Sequence, residues 1–333
     1  MRDADLAPRP LPDAGVGAER IVVGSWSELP VGRLAVPEEE LSLPATLASG
    51  QAFRWALLPP DSRLAPDEDA WWVGVVGGRA IRLRREGTAC LYQICPQGGD
   101  GEELLRRYFR LDVNLPGVVA ELADRDDAFR PALAAFPGLR LLAQGPEEAL
   151  LSYLCSPANS VLRISRSIDL LARRHGRLIA RLDGVEHHAF PSLAALAGAP
   201  ESDFRSAGLG WRGAGIRAVA RLLLAKPSGW LAGLAALPYV EAKGELLALP
   251  SVGPKIADCV CLFGLCQDEA VPVDTHVWAL ARQLFAAELG SAPRSLTRNA
   301  YERILRLYQA RYGPFAGWAQ QYLYHWRRQG YPS

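Results

Sequence analysis

Residues 241–266 read EAKGELLALPSVGPKIADCVCLFGLC, and this stretch decides the fold of the 333-residue chain. Its apolar residues follow a helical period to about Leu249, a Leu-Pro-Ser-Val-Gly hairpin follows, and Pro254 stands at the favoured first position of a second helix. The pattern predicts a helix-hairpin-helix with Val252 and Gly253 in its turn. Backbone amides of such a turn, together with the N-terminus of the second helix, can bind a DNA phosphate. An ordinary pair of antiparallel helices is the alternative.

Lysine is rare in this chain, which holds 34 arginines and three lysines among its 37 basic residues. Arginine serves most roles of a surface cation, but only lysine can lose its proton when buried and act as an amine nucleophile. Lys226 and Lys243 fall in loop-like or helix-surface contexts, whereas Lys255 falls at the start of the second helix of the hairpin. We therefore predict that Lys255 is a nucleophile.

A carboxylate follows the hairpin in the segment VPVDTHVW, residues 271–278. Asp274 lies at the N-cap position of a helix that begins at Thr275, and capping alone would account for its presence. Its position 19 residues after Lys255, beyond a predicted phosphate-binding hairpin, favours a second role as the acidic partner of that lysine.

Charge is unevenly distributed although the net charge is only +1. Residues 1–150 hold 16 basic and 23 acidic side chains, a balance of −7, and residues 151–333 hold 21 and 13, a balance of +8. This asymmetry indicates that the C-terminal part faces a polyanion such as DNA, although a solvated mixed surface could also produce it.

Two regions of different periodicity divide the chain. Residues 20–95 contain short apolar stretches, several alternating with polar residues and separated by Gly, Pro and Asp, which is typical of antiparallel strands. From about Glu102 the apolar spacing becomes helical. The sequence predicts an α+β protein with a disordered tail over 1–19, an antiparallel β-rich domain over 20–132 and a helical body over 133–333. The predicted strand stretches are IVVGSW, VGRLAV, LSLPATL, QAFRWALL, WWVGVV, RAIRLRR and ACLYQI.

Composition disfavours several classes of protein. No apolar run reaches the roughly 18–20 residues of a membrane-spanning helix, and the polar N-terminus lacks the apolar core of a signal peptide. The six cysteines form no CxxC pair, so we expect free thiols rather than disulfides, a zinc ribbon or a redox motif. We expect no metal, no cofactor and a monomer. The excess of arginine and alanine indicates a GC-rich bacterial genome and a cytoplasmic protein, or a nuclear one if the source is eukaryotic.

The residues SVGPKIADCVCLFGL and AVPVDTHVW together resemble the HhH-GPD superfamily of DNA glycosylases, and within it the 8-oxoguanine DNA glycosylase (OGG) family. Five further segments fall in the order of that family, so the resemblance covers nearly the whole chain. They are SGQAFRW at 49–55, YFRLDV at 108–113, LLSYLCSPANSVLRI at 150–164, GLGWR at 208–212 and GWAQQYLY at 317–324. The resemblance implies a helical HhH-GPD body behind the antiparallel N-terminal domain.

The resemblance implies a bifunctional DNA glycosylase and AP lyase of base-excision repair, which removes 8-oxoguanine and formamidopyrimidine from duplex DNA opposite cytosine. Lys255 would attack the sugar C1′ carbon, displace the damaged base and form a Schiff base that permits strand cleavage. Asp274 would stabilise the positive charge that develops on the sugar and help to orient the nucleophile. Endonuclease III-like relatives carry an iron–sulfur cluster on four C-terminal cysteines, but no cysteine follows Cys266 here.

Four residues match the family's pocket for the damaged base. The carbonyl of Gly50 would accept the N7 proton that oxidation adds to guanine, since glycine lets the backbone approach closely. Cys259, one helical turn after Lys255, would contact one face of the base. Gln320 would hydrogen-bond the Watson–Crick edge, and Tyr324 would stack on the base where the family usually has phenylalanine. A strand-edge turn for Gly50, and core packing for Cys259 and Tyr324, are the alternatives.

Three residues match the positions at which the family contacts the unpaired cytosine. Arg163 and Arg212 would donate to the acceptor edge of that base. Trp211 stands where the family has a tyrosine wedge, and a larger ring can still fill or buckle the base stack.

The sequence also departs from the family pattern. The gap-filling asparagine of the family aligns with Ala158, so Asn159 would have to take over its role or the contacts to the opposite base would be weaker. Ser251 replaces a glycine common in such hairpins. His276 matches a phosphate-contacting histidine, but Arg327 replaces the acidic residue often found near it, so His276 would be held differently.

Two other functions stay open on the sequence alone. One is an HhH-GPD glycosylase for another damaged base, such as an alkylated one. The other is a non-catalytic helix-hairpin-helix protein that binds DNA, although the presence of both Lys255 and Asp274 favours catalysis.

Overall fold

The structure, a computed structural model, describes residues 10–11, 21–58, 70–290 and 295–330. These residues form eight strands and sixteen α-helices. The strands are β1 (Val22–Gly24), β2 (Gly32–Ala35), β3 (Trp55–Leu58), β4 (Trp71–Val76), β5 (Arg79–Glu86), β6 (Ala89–Cys95), β7 (Leu178–Leu182) and β8 (Val185–His188). The helices are α1 (Leu43–Leu47), α2 (Gly101–Tyr108), α3 (Leu115–Arg125), α4 (Arg130–Ala135), α5 (Pro146–Leu154), α6 (Val161–His175), α7 (Leu193–Gly198), α8 (Glu201–Ser206), α9 (Arg212–Leu224), α10 (Trp230–Gly233), α11 (Tyr239–Leu247), α12 (Pro254–Phe263), α13 (Thr275–Leu284), α14 (Ala286–Leu289), α15 (Arg298–Tyr312) and α16 (Ala316–Arg328). Short 3₁₀ turns cover Trp26–Glu28, Asp127–Phe129, Leu234–Ala236 and Gly313–Phe315.

Five strands form an antiparallel sheet in the order β2-β6-β5-β4-β3, so the predicted N-terminal antiparallel sheet is confirmed. Ile81 and Leu83 alternate with Arg82 and Arg84 along β5, which places the two apolar side chains on one face of the sheet. On that face they belong to the same buried cluster as Leu105 of α2. The alternation in the sequence therefore sets which face of the sheet meets the helix.

Two details of the N-terminal region differ from the prediction. The stretch LSLPATL, predicted as a strand, contains helix α1, because the Ser42 side chain accepts from the amide of Ala45 and Pro44 occupies the first turn. Strand β1 does not join the antiparallel sheet, since residues 22–24 pair in parallel with residues 180–182 of β7. The first strand thus contacts the C-terminal part of the chain, and the predicted domain boundaries stay a prediction.

The predicted disordered tail, residues 1–19, lies outside the described residues except for Pro10 and Leu11. Leu11 is buried in the apolar cluster of the antiparallel sheet. The Pro10 carbonyl accepts a hydrogen bond from Arg107 of α2 across 3.0 Å. These two residues therefore pack against the N-terminal domain.

The helical body predicted from the apolar spacing is present, and five of its helices bring the predicted site residues together. Helix α12 packs against both α5 and α11, and α13 packs against α16. One large apolar cluster joins all of these helices. Because α12 begins with the Lys255 segment and α13 is capped by Asp274, this packing decides where the two residues meet.

Three further features concern membrane-spanning helices, cysteines and possible metal ligands. No helix in the described part of the chain is long and apolar enough to cross a membrane. All six cysteines are buried and free, as the sequence predicts. Within the described ranges, no group of three or more His, Cys, Asp or Glu side chains is arranged to hold a metal ion.

Candidate active site

The predicted helix-hairpin-helix is present, with α11 ending at Leu247 and α12 beginning at Pro254. Gly253 is the N-cap of α12, and proline fits the position after it because an amide there would have no partner within the helix. Ser251 takes a φ of +62°, in the left-handed region that favours glycine. The chain therefore keeps the hairpin at the cost of backbone strain at Ser251, the hairpin residue that replaces a glycine common in the family.

Val252 faces the interior of the hairpin rather than the outside. Its side chain is buried, and its amide donates to the Leu249 carbonyl across 3.3 Å. Val252 therefore offers neither a free amide nor an exposed side chain for the DNA contact predicted for it. Gly253 and the first amides of α12 remain able to receive a phosphate, because the first turn of a helix leaves its amides without helical partners.

Lys255 lies in the first turn of α12, half-buried, with its amine held by residues at the end of α5. The Lys255 Nζ atom donates to the Ser156 hydroxyl across 3.2 Å. It also lies 5.1 Å from the centre of the Tyr153 ring. The amine is thus positioned by contacts nearly one hundred residues away in sequence, which sequence reasoning did not identify.

Asp274 is the N-cap of α13, as predicted. One oxygen, Oδ1, accepts from the amides of His276 across 2.9 Å and of Val277 across 2.8 Å. Capping therefore uses only one of the two carboxylate oxygens. The charge of Asp274 also acts on Cys259 and Tyr324, the two residues predicted to contact the faces of the base, so the carboxylate lies near the pocket that the resemblance implies.

Cys259 and Tyr324 both border this pocket in their protonated forms. Burial raises the pKa of the Cys259 thiol to about 12, the Lys255 ammonium lowers it in part, and the Asp274 carboxylate adds to the rise. Burial likewise raises the pKa of Tyr324 to about 12, and Arg328 opposes the rise. A neutral thiol and a neutral phenol ring are suited to contact a base face rather than to act as nucleophiles.

Gly50 and Gln320 complete the pocket predicted for the base. Gly50 has a φ of +87°, and a Cβ added there would lie 2.6 Å from Arg328 Nη1 and 3.5 Å from the Tyr324 hydroxyl. Gln320 lies one helical turn before Tyr324, is 3% exposed, and its Oε1 atom has no hydrogen-bond partner among the described residues. Buried polar atoms of this kind normally have a partner, so the Gln320 amide is an acceptor available to a ligand.

The residues predicted to contact the opposite base lie at the starts of α6 and α9. Trp211 is 68% exposed, which is unusual for so large an apolar ring. Arg163 is exposed in the first turn of α6. Arg212 is half-buried, lies 4.9 Å from the Trp211 ring, and donates through Nε to the Pro157 carbonyl across 2.7 Å and through Nη2 to Ala158 across 3.2 Å.

Asn159 does not reach outward as a replacement for the missing asparagine of the family. Its Nδ2 donates to the Cys155 carbonyl across 3.1 Å, and its Oδ1 accepts from the amide of Ser160 across 3.1 Å. Ala158 takes a φ of +50°, which turns the chain back at this point. Both hydrogen bonds hold the Asn159 side chain against the backbone of its own loop. They would have to break for this side chain to fill the gap left by the flipped base, as predicted.

His276 is exposed and is held at the pocket by an aromatic contact. Its ring lies edge-on to Tyr324, with 6.0 Å between ring centres. Arg328 lies 5.6 Å from the same Tyr324 ring, and one of its nitrogens reaches the Ala48 carbonyl at 3.5 Å. The cation near the pocket aromatic is therefore Arg328, which sequence reasoning did not single out.

Lys243 is a clear error of the sequence reasoning, since it is buried rather than on a helix surface. Its Nζ donates to Asp258 across 3.0 Å and to the Tyr239 hydroxyl across 3.1 Å. Tyr301 also donates to Asp258 and accepts from the Val273 amide across 3.3 Å. This network ties α12 to the residue that precedes Asp274. The spacing of Tyr239 and Lys243 by one helical turn was the available signal.

Comparison of the sequence with known proteins gives consistent results. A sequence model described as the 8-oxoguanine DNA glycosylase N-terminal domain matches residues 33–150. The chain is similar to the N-glycosylase/DNA lyase OGG1 of Arabidopsis thaliana, with 34% identity over 298 residues that cover 87% of this chain and 78% of that protein. It is also similar to the N-glycosylase/DNA lyase of Saccharomyces cerevisiae, with 31% identity over 329 residues covering 88% and 85%.

The fold agrees with a solved structure of the same kind. The Clostridium acetobutylicum 8-oxoguanine glycosylase/lyase, in complex with double-stranded DNA containing cytosine opposite 8-oxoguanine, has a TM-score of 0.74 and 25% identity to this chain. The match covers 87% of this chain and 93% of that one. The likeness therefore includes most of both chains rather than the helix-hairpin-helix alone.

Proposed function

The chain belongs to the 8-oxoguanine DNA glycosylase family, and on that premise we propose that it excises 8-oxoguanine from duplex DNA opposite cytosine through a Schiff base on Lys255. The relatives in Arabidopsis and yeast are N-glycosylase/DNA lyases, and this chain is accordingly a DNA glycosylase with lyase activity, as the sequence predicted. The observation that carries the finer proposal is that Lys255 in the first turn of α12 and Asp274 at the N-cap of α13 are close enough for the charges of both to act on the buried Cys259 thiol.

The proposed reaction begins with the neutral Lys255 amine. It attacks C1′ of the flipped nucleotide as the bond from C1′ to N9 breaks, and the departing base takes up a proton. The nitrogen, now a secondary ammonium, then gives up one of its two protons, and O4′ takes up a proton as the C1′–O4′ bond breaks. The sugar ring opens, which leaves between Lys255 and C1′ an iminium that still carries one N–H. Loss of a proton from C2′ expels the 3′ phosphate by β-elimination and cuts the strand.

Asp274 supports the step in which positive charge develops on the sugar. Its Oδ1 is occupied by two backbone amides, which fixes the orientation of the carboxylate. A fixed carboxylate stabilises a developing cation without having to reorganise at the moment of reaction. The capping bonds and the catalytic role are therefore compatible.

Selection of the lesion is assigned to Gly50 and Gln320. Oxidised guanine carries a proton on N7 where guanine has a lone pair, so a backbone carbonyl at Gly50 accepts from the lesion alone. The unpartnered Oε1 of Gln320 can accept from the Watson–Crick edge of the base. Tyr324 and Cys259 would hold the two faces of the ring.

Formamidopyrimidine keeps the same Watson–Crick edge and is proposed as a second substrate. Cytosine preference is assigned to Arg163 and Arg212, with Trp211 as the wedge at the vacated stack. The monomeric state and the cytoplasmic location stay predictions.

The proposal is tested with labelled duplexes that carry 8-oxoguanine opposite each of the four normal bases. Base release is measured after alkali and strand cleavage without it. We expect both products, formed fastest opposite cytosine, and we expect the Asp274→Asn variant to lose about 100-fold in the rate of release. Release of an alkylated base instead of 8-oxoguanine would mean a glycosylase for another lesion, and binding without release would mean a non-catalytic DNA-binding protein.

A further inference from the structure

Gln51, which follows the proposed lesion reader Gly50, is the most firmly held residue near the pocket. It is 1% exposed. Its side chain donates to the Arg140 carbonyl across 2.8 Å and accepts from the Leu142 amide across 2.8 Å. Its own carbonyl accepts two further hydrogen bonds. A residue held at both its side chain and its backbone fixes the orientation of the peptide before it.

Two buried side chains donate to the Gln51 carbonyl, and one of them also faces the nucleophile. The Gln144 amide donates across 2.7 Å and the Tyr153 hydroxyl across 2.8 Å. The Tyr153 ring stacks on Phe263 of α12, with 5.9 Å between ring centres and 22° between the planes. The same ring lies 5.1 Å from the Lys255 Nζ atom.

The last turn of α5 continues the connection to Lys255. The Ser156 hydroxyl donates to the Tyr153 carbonyl across 2.7 Å. That hydroxyl oxygen in turn accepts from Lys255 Nζ across 3.2 Å. A path of three hydrogen bonds, joined through the covalent frame of Tyr153, therefore runs from the Gln51 carbonyl, one residue beyond Gly50, through Tyr153 and Ser156 to the amine.

We propose that Tyr153 is a positioning residue that couples recognition of the lesion at Gly50 to attack by Lys255. The inference rests on the proposed function, because it assumes that Gly50 reads the base and Lys255 attacks the sugar. Tyr153 makes no hydrogen bond to the Lys255 amine itself. It acts by donating to the Gln51 carbonyl through its hydroxyl and by accepting, at its own carbonyl, from the Ser156 hydroxyl that holds the amine. Its hydroxyl is the group that bonds to the Gln51 carbonyl.

The coupling makes a prediction that a purely structural role does not make. Excision of 8-oxoguanine needs both ends of the path, because the base must be held while the amine attacks. Cleavage at a preformed abasic site needs only the amine, because that substrate has no base for Gly50 to hold. Loss of the Tyr153 hydroxyl should therefore slow excision more than it slows processing of an abasic site.

The test compares Tyr153→Phe with a matched control, Tyr322→Phe. Tyr322 of α16 is fully buried and donates to the Leu139 carbonyl across 3.0 Å, so both variants lose one buried hydroxyl that bonds to a backbone carbonyl. Each variant is assayed under single turnover for excision of 8-oxoguanine opposite cytosine and for borohydride trapping on an abasic duplex. Melting temperatures are recorded alongside.

We expect Tyr153→Phe to excise 8-oxoguanine about ten-fold more slowly than the wild type, which is the scale of one lost hydrogen bond. The factor by which its trapping rate falls should be at least about three-fold smaller. Tyr322→Phe should keep both rates within two-fold at a similar loss of melting temperature. Ser156→Ala, at the amine end of the path, should lower both rates together. If Tyr153→Phe fails to fold, Gln144→Leu removes the other donor to the same carbonyl and carries the same expectation.

Two results would overturn the coupling while leaving the proposed function intact. One is excision by Tyr153→Phe at the wild-type rate. The other is an equal loss in excision and trapping, which would assign Tyr153 to general stability. Absence of both activities in the wild-type protein would instead refute the proposed function, and the coupling with it.

Discussion

Arg212 donates a hydrogen bond from its Nε atom to the carbonyl oxygen of Pro157 across 2.7 Å. This bond, with a second from Nη2 to Ala158, joins the start of α9 to the loop where the family's asparagine is missing. Arg212 is therefore already engaged with backbone carbonyls in the free protein. Arg163, in contrast, is exposed and has no side-chain partner within the described residues.

Arg163→Ala should lower discrimination between cytosine and adenine opposite the lesion. An arginine that donates to a base edge contributes roughly 1–3 kcal/mol of discrimination, so the ratio of the two excision rates should fall by about ten-fold. The measurement is single-turnover excision opposite each base. Arg166→Ala, which removes another exposed arginine of α6, serves as the control and should leave the ratio unchanged. An unchanged ratio in Arg163→Ala would remove this residue from base readout.

Gly50→Ala should abolish recognition of the lesion. The substitution combines a φ of +87° with a Cβ placed 2.6 Å from Arg328 Nη1, so the loop must shift. We expect excision to fall by about 100-fold, because a shifted carbonyl no longer meets the N7 proton. Gly184→Ala is the matched control, since Gly184 has a φ of +77° with no neighbouring atom within 4 Å. Equal effects of the two substitutions on excision would show that backbone strain alone is responsible.

Lys243→Met should destabilise the protein strongly although Lys243 lies outside the pocket. Burial raises the pKa of Asp258 to about 6, and the Lys243 charge opposes that rise. Removing one partner of a buried ion pair costs about 3–5 kcal/mol, because the other charge is left without compensation. Urea unfolding measures the loss. Lys226→Met, which removes a cation lying 4.3 Å from the Trp230 ring, should cost no more than about 1 kcal/mol. A similar small cost for Lys243→Met would refute the role of the network.

His325 should make the protein less stable in acid. Burial lowers its pKa to about 4, with a smaller contribution from Arg328. Between about pH 6.5 and 4 the unfolded chain takes up a proton at this residue that the folded chain does not, so the free energy of unfolding falls as the pH falls. From pH 7 to pH 4, the unfolding free energy of the wild type should fall by about 3 kcal/mol relative to that of His325→Phe, which lacks the titrating group. A difference that does not change with pH would contradict this.

Much of the site could be predicted because its signals are local. Pro254 at the start of α12 and the capping carboxylate of Asp274 each follow from a few neighbouring residues, and the structure has both. The antiparallel sheet follows from the alternation along its strands. The family followed from several short motifs in one order, and the relatives confirm it.

The remainder depends on contacts between residues far apart in sequence. Lys255 meets Ser156 across 99 positions, and β1 pairs with β7 rather than with its neighbours in the chain. Lys243 looked like a surface residue because its partners, Asp258 and Tyr301, come from other helices. The one-turn spacing of Lys243 from Tyr239 was a local signal of a buried contact, but it does not identify Asp258, which reaches Lys243 only through the packing of α12 against α11.

Trapping of the covalent intermediate shows whether Lys255 is the nucleophile. The protein is incubated with a duplex carrying 8-oxoguanine opposite cytosine in the presence of borohydride, which reduces a Schiff base to a stable amine. We expect a covalent adduct with the wild type and with Lys226→Gln, none with Lys255→Gln, and the modified peptide to contain Lys255. An adduct formed by Lys255→Gln at the wild-type yield, or strand cleavage by the wild type without any adduct, would contradict this role of Lys255.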